Sequence, residues 1–216
     1  MPNKTFLNLP IEKQEEIIEI SLQVFCKHDY ESASLNEIIS KLGIAKGSFY
    51  RYFDTKSELY SYLIEYSVRK KSAYIDEHVD LTTTDVFELF KNTMFHHLKF
   101  DLIYPIYGKF LLQVFTQDNL RRQAFSKHLK APSIIRGLII RAQNEETLRK
   151  DMDVDFIMHC MFRAATGLDD YMAEMTGINH KRLIDEAADL DINDDELMSI
   201  FDMLVKFLKH GFLTKQ

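Results

Sequence analysis

Glycine and proline are scarce in this chain, 7 and 4 among 216 residues. Alternating apolar and polar runs rich in β-branched residues are few. Both absences argue against a sheet protein and for a fold that is nearly all helix. No apolar stretch approaches the roughly 18 to 20 residues that a bilayer span needs. No basic segment followed by an apolar one opens the chain as a secretory leader would, so a cytoplasmic location is expected. Cysteine is limited to Cys26 and Cys160. That is too little for a disulfide scaffold and fits reduced core thiols, with a redox role as the alternative. Catalytic signatures are missing as well: there is no HExxH, no CxxC, no glycine-rich phosphate loop and no GxSxG. Neither an enzyme nor a bound cofactor is expected. His96 and His97 are sequence neighbours, about 100° apart on a helix, and share one metal ion poorly. His159 with Cys160 and Asp169 with Asp170 are the other candidate clusters. Metal sensing through His97, His159 or Cys160 stays open as an alternative.

What is present is apolar and patterned. Hydrophobic residues make up 46% of the chain, enough for a substantial core in one or two domains. The expected fold class is all-α. The most informative stretch is SLNEIISKLGIAKGSFYRYFDTKSEL, from Ser34 to Leu59. Ser34 followed by Glu37 matches a capping box, in which the hydroxyl accepts from a first-turn N–H and the carboxylate reaches back. Leu35, Ile38, Ile39 and Leu42 keep the spacing of a helix buried on one face. Gly43 then offers the left-handed conformation that ends such a helix. The pattern predicts a second helix of about two turns from Ala45 to Tyr52. Thr55 with Glu58 repeats the capping box at the start of a longer helix.

Helix, glycine turn, helix is the outline of the helix-turn-helix, whose second helix enters the major groove. Here that second helix carries Lys46, Gly47, Ser48, Tyr50, Arg51 and Tyr52 within seven residues. So many donors do not suit a core, and two tyrosines and a glycine do not suit an ordinary solvated face. Positive charge, small residues that allow close approach and hydroxyls for phosphate oxygens suit a DNA surface. The charge distribution agrees. From Lys41 to Lys71 seven basic residues face three acidic ones, net +4, whereas the whole chain carries −6, which leaves −10 elsewhere. The acidic remainder would be repelled by DNA and would help orient the head. A helical protein-interaction module without DNA affinity is the rival reading.

Residues 10 to 60 resemble the N-terminal domain of TetR/AcrR-type transcriptional regulators. Phe25, Tyr30, Ser34, Ile38, Gly43, Ile44, Lys46, Gly47, Ser48, Tyr50, Tyr52, Phe53, Lys56, Glu58 and Leu59 carry the likeness, and GIAKGSFYRYFDTKSEL is close to that family's usual wording. The rest of the chain resembles the family in length and helical pattern only. The resemblance implies a helix-turn-helix DNA-binding domain over 1–55 and a helical effector-binding and dimerisation domain over 56–216. It implies DNA contacts from Ser34, Lys46, Gly47, Ser48, Tyr50, Arg51, Tyr52 and Lys56, with Phe49 and Phe53 facing inward. The plain alternatives are that Tyr52 packs and that Arg51 is a solvated charge. Asp29 stands where relatives often have glycine and is expected to tolerate a left-handed turn. Ala45 replaces a common serine cap, and Ile39 and Leu42 replace common alanines.

Elsewhere, Met1 to Asn8 reads as a mobile arm. Pro10, Glu12, Glu15 and Glu16 open a first helix that ends near His28. The helix from Thr55 runs to about His78. Leu81 to Asp85 is a break capped by Thr83 or Thr84, and a helix follows to about Phe100. Asp101 to Pro105 is a second break, then Ile106 to Thr116 is helical. Asp118 to Leu129 and Pro132 to Gln143 read as one interrupted helix or two, and residues 144 to 153 as a polar loop. Val154 to Met175 is strongly apolar and ends at Gly177. An acidic connector follows, with a short helix over Lys181 to Ala188, and Asp194 to Gly211 is the last helix. By the resemblance, the two late helices pair across a two-fold axis in a homodimer that reads a palindromic operator, with repression as the default. Phe90, Met94, Tyr107, Phe110, Met158, Met161 and Phe162 are candidates to line a pocket for a small apolar or aromatic effector. Ordinary core is the alternative for each.

Overall fold

Several helices of this chain start where a side chain takes up free first-turn N–H groups. In the computed structural model, which describes residues 2–117, 130–168, 171 and 193–213, ten helices carry the described chain. They are α1 (Lys4–Leu7), α2 (Ile11–Lys27), α3 (Leu35–Leu42), α4 (Lys46–Phe49), α5 (Lys56–His78), α6 (Val86–Ile103), α7 (Pro105–Gln117), α8 (Ala131–Asn144), α9 (Val154–Thr166) and α10 (Asp194–Phe212). Ser34 accepts from Asn36 N, Asp153 from Asp155 N and Phe156 N, and Asn193 from Asp195 N. Among the described residues the one β pairing is an isolated antiparallel bridge between Leu148 and Leu213.

The chain folds as two compact units. The first holds residues up to Lys70 and the segment that begins at Tyr104; the second holds Lys71–Ile103 and the helices from α8 onward. In the first unit α2 packs on α3 and α7. Its core is Ile17, Ile18, Leu22 and Phe25 of α2, Ile38, Ile39 and Leu42 of α3, then Phe49, Phe53, Leu59 and Leu63, all buried. Phe25, Tyr60 and Phe110 form an aromatic triangle, with Tyr60 4.8 Å from Phe25 and 5.3 Å from Phe110 between ring centroids. In the second unit α6 packs on α10 and α8. Phe95 and Leu98 meet Leu197, Ile200 and Phe201, with Met94 against the cluster.

Several expectations are corrected. The first residues are not a free arm: Lys4–Leu7 forms a helical turn and Phe6 is buried. Asp29 is not left-handed; among the described residues only Gly43, at φ 62°, and Glu146, at φ 61°, have that backbone. Asp29 accepts instead from the Ser32 hydroxyl and, at 2.8 Å, from Ser32 N, and these bonds hold its carboxyl below the usual range. Glu37 does not close the first capping box, because its carboxylate pairs with His28 at 3.3 Å and Lys41 at 3.4 Å. Asp85, not a threonine, caps α6 by accepting from Phe87 N and Glu88 N. The break predicted at Asp101 shrinks to Tyr104 alone, since α6 continues to Ile103. Asp101 stays helical because Lys71 meets its carboxylate at 2.7 and 2.8 Å. At Pro132, one of the two expected readings holds: it opens α8 from its first turn, where its missing N–H costs nothing. The readings at residues 118–129, 169–170 and 172–192 lie outside the described residues.

Candidate nucleic-acid interface

The surface built around α4 follows from how its short sequence divides between two faces. Phe49 and Phe53 are fully buried, their centroids 6.1 Å apart. That burial, about 2 kcal/mol for each ring, fixes which way the remaining residues point. Lys46, Gly47, Tyr50 and Arg51 are exposed, and Ser48 and Tyr52 half-exposed. α-Helical geometry ends at Phe49, shorter than predicted, yet the bonded turns continue: Tyr50 N donates to Lys46 O, Arg51 N to Ser48 O, and both Tyr52 N and Phe53 N to Phe49 O. Ala45 supplies no side-chain cap, as the missing serine predicts, so the first N–H groups of α4 stay open to an outside acceptor.

Gly43 makes the turn possible. Its φ of 62° and ψ of 24° are strained for any residue with a Cβ. The Gly43 N–H donates to Ser40 O, closing α3 so that the chain can turn into α4. Thr55 and Glu58 close the other side: Glu58 N donates to Thr55 Oγ1, and Asp54 N donates to Glu58 Oε2, both at 3.1 Å.

The charges are less evenly available than the sequence count implies. Lys46 and Arg51 make no ion pair among the described residues. Lys56 is drawn inward: its ammonium donates to Glu31 O at 3.1 Å and Ala33 O at 3.2 Å, and sits 4.7 Å from the Tyr30 ring centre. Lys56 therefore staples the start of α5 to the loop before α3. Lys71 is buried against Asp101, and Lys70 lies between the rings of Tyr104 and Tyr107 at 5.0 and 4.9 Å. Ser34 is exposed with its hydroxyl engaged by Asn36 N.

The effector candidates divide between the units. Tyr107 and Phe110 belong to the first, where burial and the neighbouring Tyr66, Glu19 and Glu15 push the Tyr107 hydroxyl far above its usual range. Phe90, Met94, Met158, Met161 and Phe162 belong to the second. Phe90 meets Phe162 edge-on at 5.6 Å, Met161 is fully buried, and Met94 and Met158 are half-buried. None of the seven lines the recess of about 380 Å³ bounded by Phe87, Leu138, Leu148 and Leu213 in the second unit. No group of three or more metal-binding side chains occurs among the described residues. Cys26 and Cys160 stand as half-buried thiols, Cys26 directed at Ile106 O. No helix among the described residues is long and apolar enough to cross a membrane.

Two residues beside α4 had no signal in the sequence. Asn3 N donates to Tyr52 O at 2.9 Å, and Asn3 Nδ2 to Asp54 Oδ1 at 2.8 Å. Phe6 packs 4.9 Å from Phe53 between centroids.

Known proteins share these features. Residues 17–63, from the middle of α2 into α5, match the family described as bacterial regulatory proteins, tetR family. The uncharacterized HTH-type transcriptional regulator YerO of Bacillus subtilis is 39% identical over 57 residues, 26% of this chain and 20% of that protein. YuxN of the same organism is 40% identical over 55 residues, 26% of this chain and 19% of that protein. The match thus spans about a fifth of these relatives' length. A TetR family transcriptional regulator from Chloroflexus aurantiacus has a similar structure over the whole of both chains, with 25% identity and a TM-score of 0.79. The fatty acid degradation regulator FadR from Bacillus halodurans aligns over 91% of this chain and 98% of its own, with 17% identity and a TM-score of 0.62, a likeness of fold.

Proposed function

The chain belongs to the TetR family of DNA-binding transcriptional regulators, and from that premise we propose that it is a homodimeric repressor, released from a palindromic operator by a small apolar or aromatic effector. One observation carries the reading. Along α4 and the bonded turns after it, the buried Phe49 and Phe53 turn Lys46, Gly47, Ser48, Tyr50 and Arg51 outward, and the two cations form no ion pair among the described residues. Lys46 and Arg51 meet phosphates or guanine edges, Gly47 brings the backbone close, and Ser48, Tyr50 and Tyr52 donate hydroxyls to phosphate oxygens. Ser34 and Lys56 flank this surface at the starts of α3 and α5. We assign residues 1–55 to DNA binding and 56–216 to effector binding and dimerisation.

One short reading helix recognises little alone, so a pair of heads about 34 Å apart, one helical turn of DNA, is needed. Support for pairing is the apolar surface on the late helices. Phe207 is 74% exposed, Phe156 55% and Met203 52%, and exposed residues of this kind favour a second copy over water. Support for an effector is the run of apolar and aromatic residues in the second unit, among them Phe90, which meets Phe162 edge-on, and Met94, Met158 and Met161. A ligand that binds one shape of the body better than another shifts the population, and α5 carries the change towards the heads.

The test uses the full chain and DNA fragments selected from random sequence. The selected sites are expected to be palindromic, binding is expected to weaken steeply with added salt, and Phe207→Glu is expected to yield monomers by sedimentation. Selection of no sequence above background would end the regulatory reading. Titration with apolar and aromatic compounds reads the effector part: at least one is expected to release the operator.

A further inference from the structure

Residues 3–7 lie across the end of the reading helix. Asn3 makes two bonds there, its N–H to Tyr52 O and its side-chain amide to the Asp54 carboxylate. Phe6 is fully buried, its ring 4.9 Å from Phe53, 5.3 Å from Tyr62 and 6.3 Å from Tyr52 between centroids. Gln14 of α2 holds the segment from the other side, donating to Leu9 O at 2.9 Å and Leu7 O at 3.3 Å. The segment is thus bonded to the turn after α4, plugged into the core between α4 and α5, and tied to α2.

α4 needs such help. Four residues of helix are too few to be stable alone, because nucleation costs more than one or two bonds return. Its first turn lacks a side-chain cap. Beyond Phe49 its closing bonds mix two patterns, Arg51 N and Tyr52 N each reaching back three residues and Phe53 N four. What packs on the far end therefore decides how well Tyr50, Arg51 and Tyr52 hold their places.

The geometry points to residues 3–7 as an ordering clasp, in which Phe6 and Asn3 are positioning residues that hold α4 in the pose that fits DNA. This rests on the reading of α4 as the DNA-contacting helix. The clasp itself touches no phosphate. Without it the head samples poses in which the residues after Phe49 leave their places, and DNA must select the competent fraction. Apparent affinity then falls in proportion to that fraction, while the complex that forms is the same. Removing a cation that neutralises a phosphate behaves differently, because it lowers the slope of log affinity against log salt by about 0.9.

The experiment compares the full chain with Phe6→Ala, Asn3→Ala and Phe6→Leu. Affinity for a selected site is measured at several salt concentrations, and amide exchange is measured without DNA. Phe6→Ala is expected to weaken binding about tenfold with an unchanged salt slope, Asn3→Ala less, and Phe6→Leu to recover most of the loss. In exchange, the Tyr52 and Phe53 amides are expected to lose protection while Ile38 in α3 keeps its own. Unchanged affinity, a salt slope reduced by about one, or equal loss of protection at Ile38 would each overturn the clasp. Asn3→Ala removes only the exposed side-chain bond to Asp54 and keeps the backbone bond to Tyr52 O, so it keeps the test sound should Phe6→Ala fail to fold. Exchange needs no DNA and judges the clasp by itself. Lys46→Ala, with the clasp intact, judges the reading on which it rests.

Discussion

Many cations in the second unit and the two cations of the α4 segment meet opposite fates. In the second unit Lys91 meets Asp202, Lys99 Asp194, Lys130 Asp76, Arg136 Asp155, Arg149 Asp151 and Lys150 Glu146, and Lys71 is buried on Asp101. On α4 and the turn that follows it, Lys46 and Arg51 stand exposed without an ion pair among the described residues. Exposed pairs add little stability, so the contrast concerns availability. A paired cation must give up a carboxylate before it can take a phosphate, and an unpaired one gives up only water. The lesson is that the location of positive charge says less about a DNA surface than whether that charge is already spent.

The buried pair offers the largest way to break the comparison. Lys71→Met leaves the Asp101 carboxylate buried without its ammonium and is expected to cost about 3 to 5 kcal/mol in denaturant unfolding. The double variant Lys71→Met, Asp101→Leu is expected to recover most of that, because an apolar pair of similar volume replaces a buried ion pair with little loss. If both variants match the parent, Lys71 is as available as Lys46 and the contrast fails.

Next in size is the acid limb. Burial foremost, and then the Lys71 ammonium, hold the His97 imidazole down at about 3, while Asp101 pulls the other way. The folded chain therefore keeps His97 neutral where the unfolded chain would protonate it near 6.5. The unfolded state binds the extra proton, so the stability is full above pH 6.5 and is lost as pH falls from there towards 3. His97→Gln is expected to flatten the decline in melting temperature between about pH 6.5 and about pH 5. An unchanged slope would remove His97 from the account. Smaller again, Gly43→Ala puts a Cβ at a φ of 62° and is expected to cost about 1 to 2 kcal/mol, read by thermal unfolding. DNA affinity is expected to follow only where the head itself begins to melt.

Local signals were legible in the sequence, and long-range ones were not. Ser34 as a cap, Gly43 as a left-handed stop and Thr55 with Glu58 as a closing box involve neighbours a few residues apart, and each is where the pattern places it. Phe49 and Phe53 face inward as the resemblance implies. Phe6 was not, because one aromatic in a polar octet has no period; its seat between Phe53 and Tyr62 exists only once α4 and α5 have packed. Asp101 read as a break because its partner lies 30 residues back. Glu37 fits the capping pattern, yet His28 and Lys41 compete for the same carboxylate. The charge tally erred for the same reason, counting Lys56 and Lys71 as surface charges when carbonyls hold one and a carboxylate the other.

The most direct measurement sets α4 against the second unit in one assay. Binding of the full chain to a selected site is followed from low to moderate salt for the parent, for Lys46→Ala with Arg51→Ala, and for Lys91→Ala with Lys99→Ala. If unpaired α4 cations make the DNA surface, the first double variant lowers the salt slope by about 0.9 for each phosphate it no longer neutralises, and the second leaves slope and affinity as they were. Equal losses in both, or none in the first, would contradict the account.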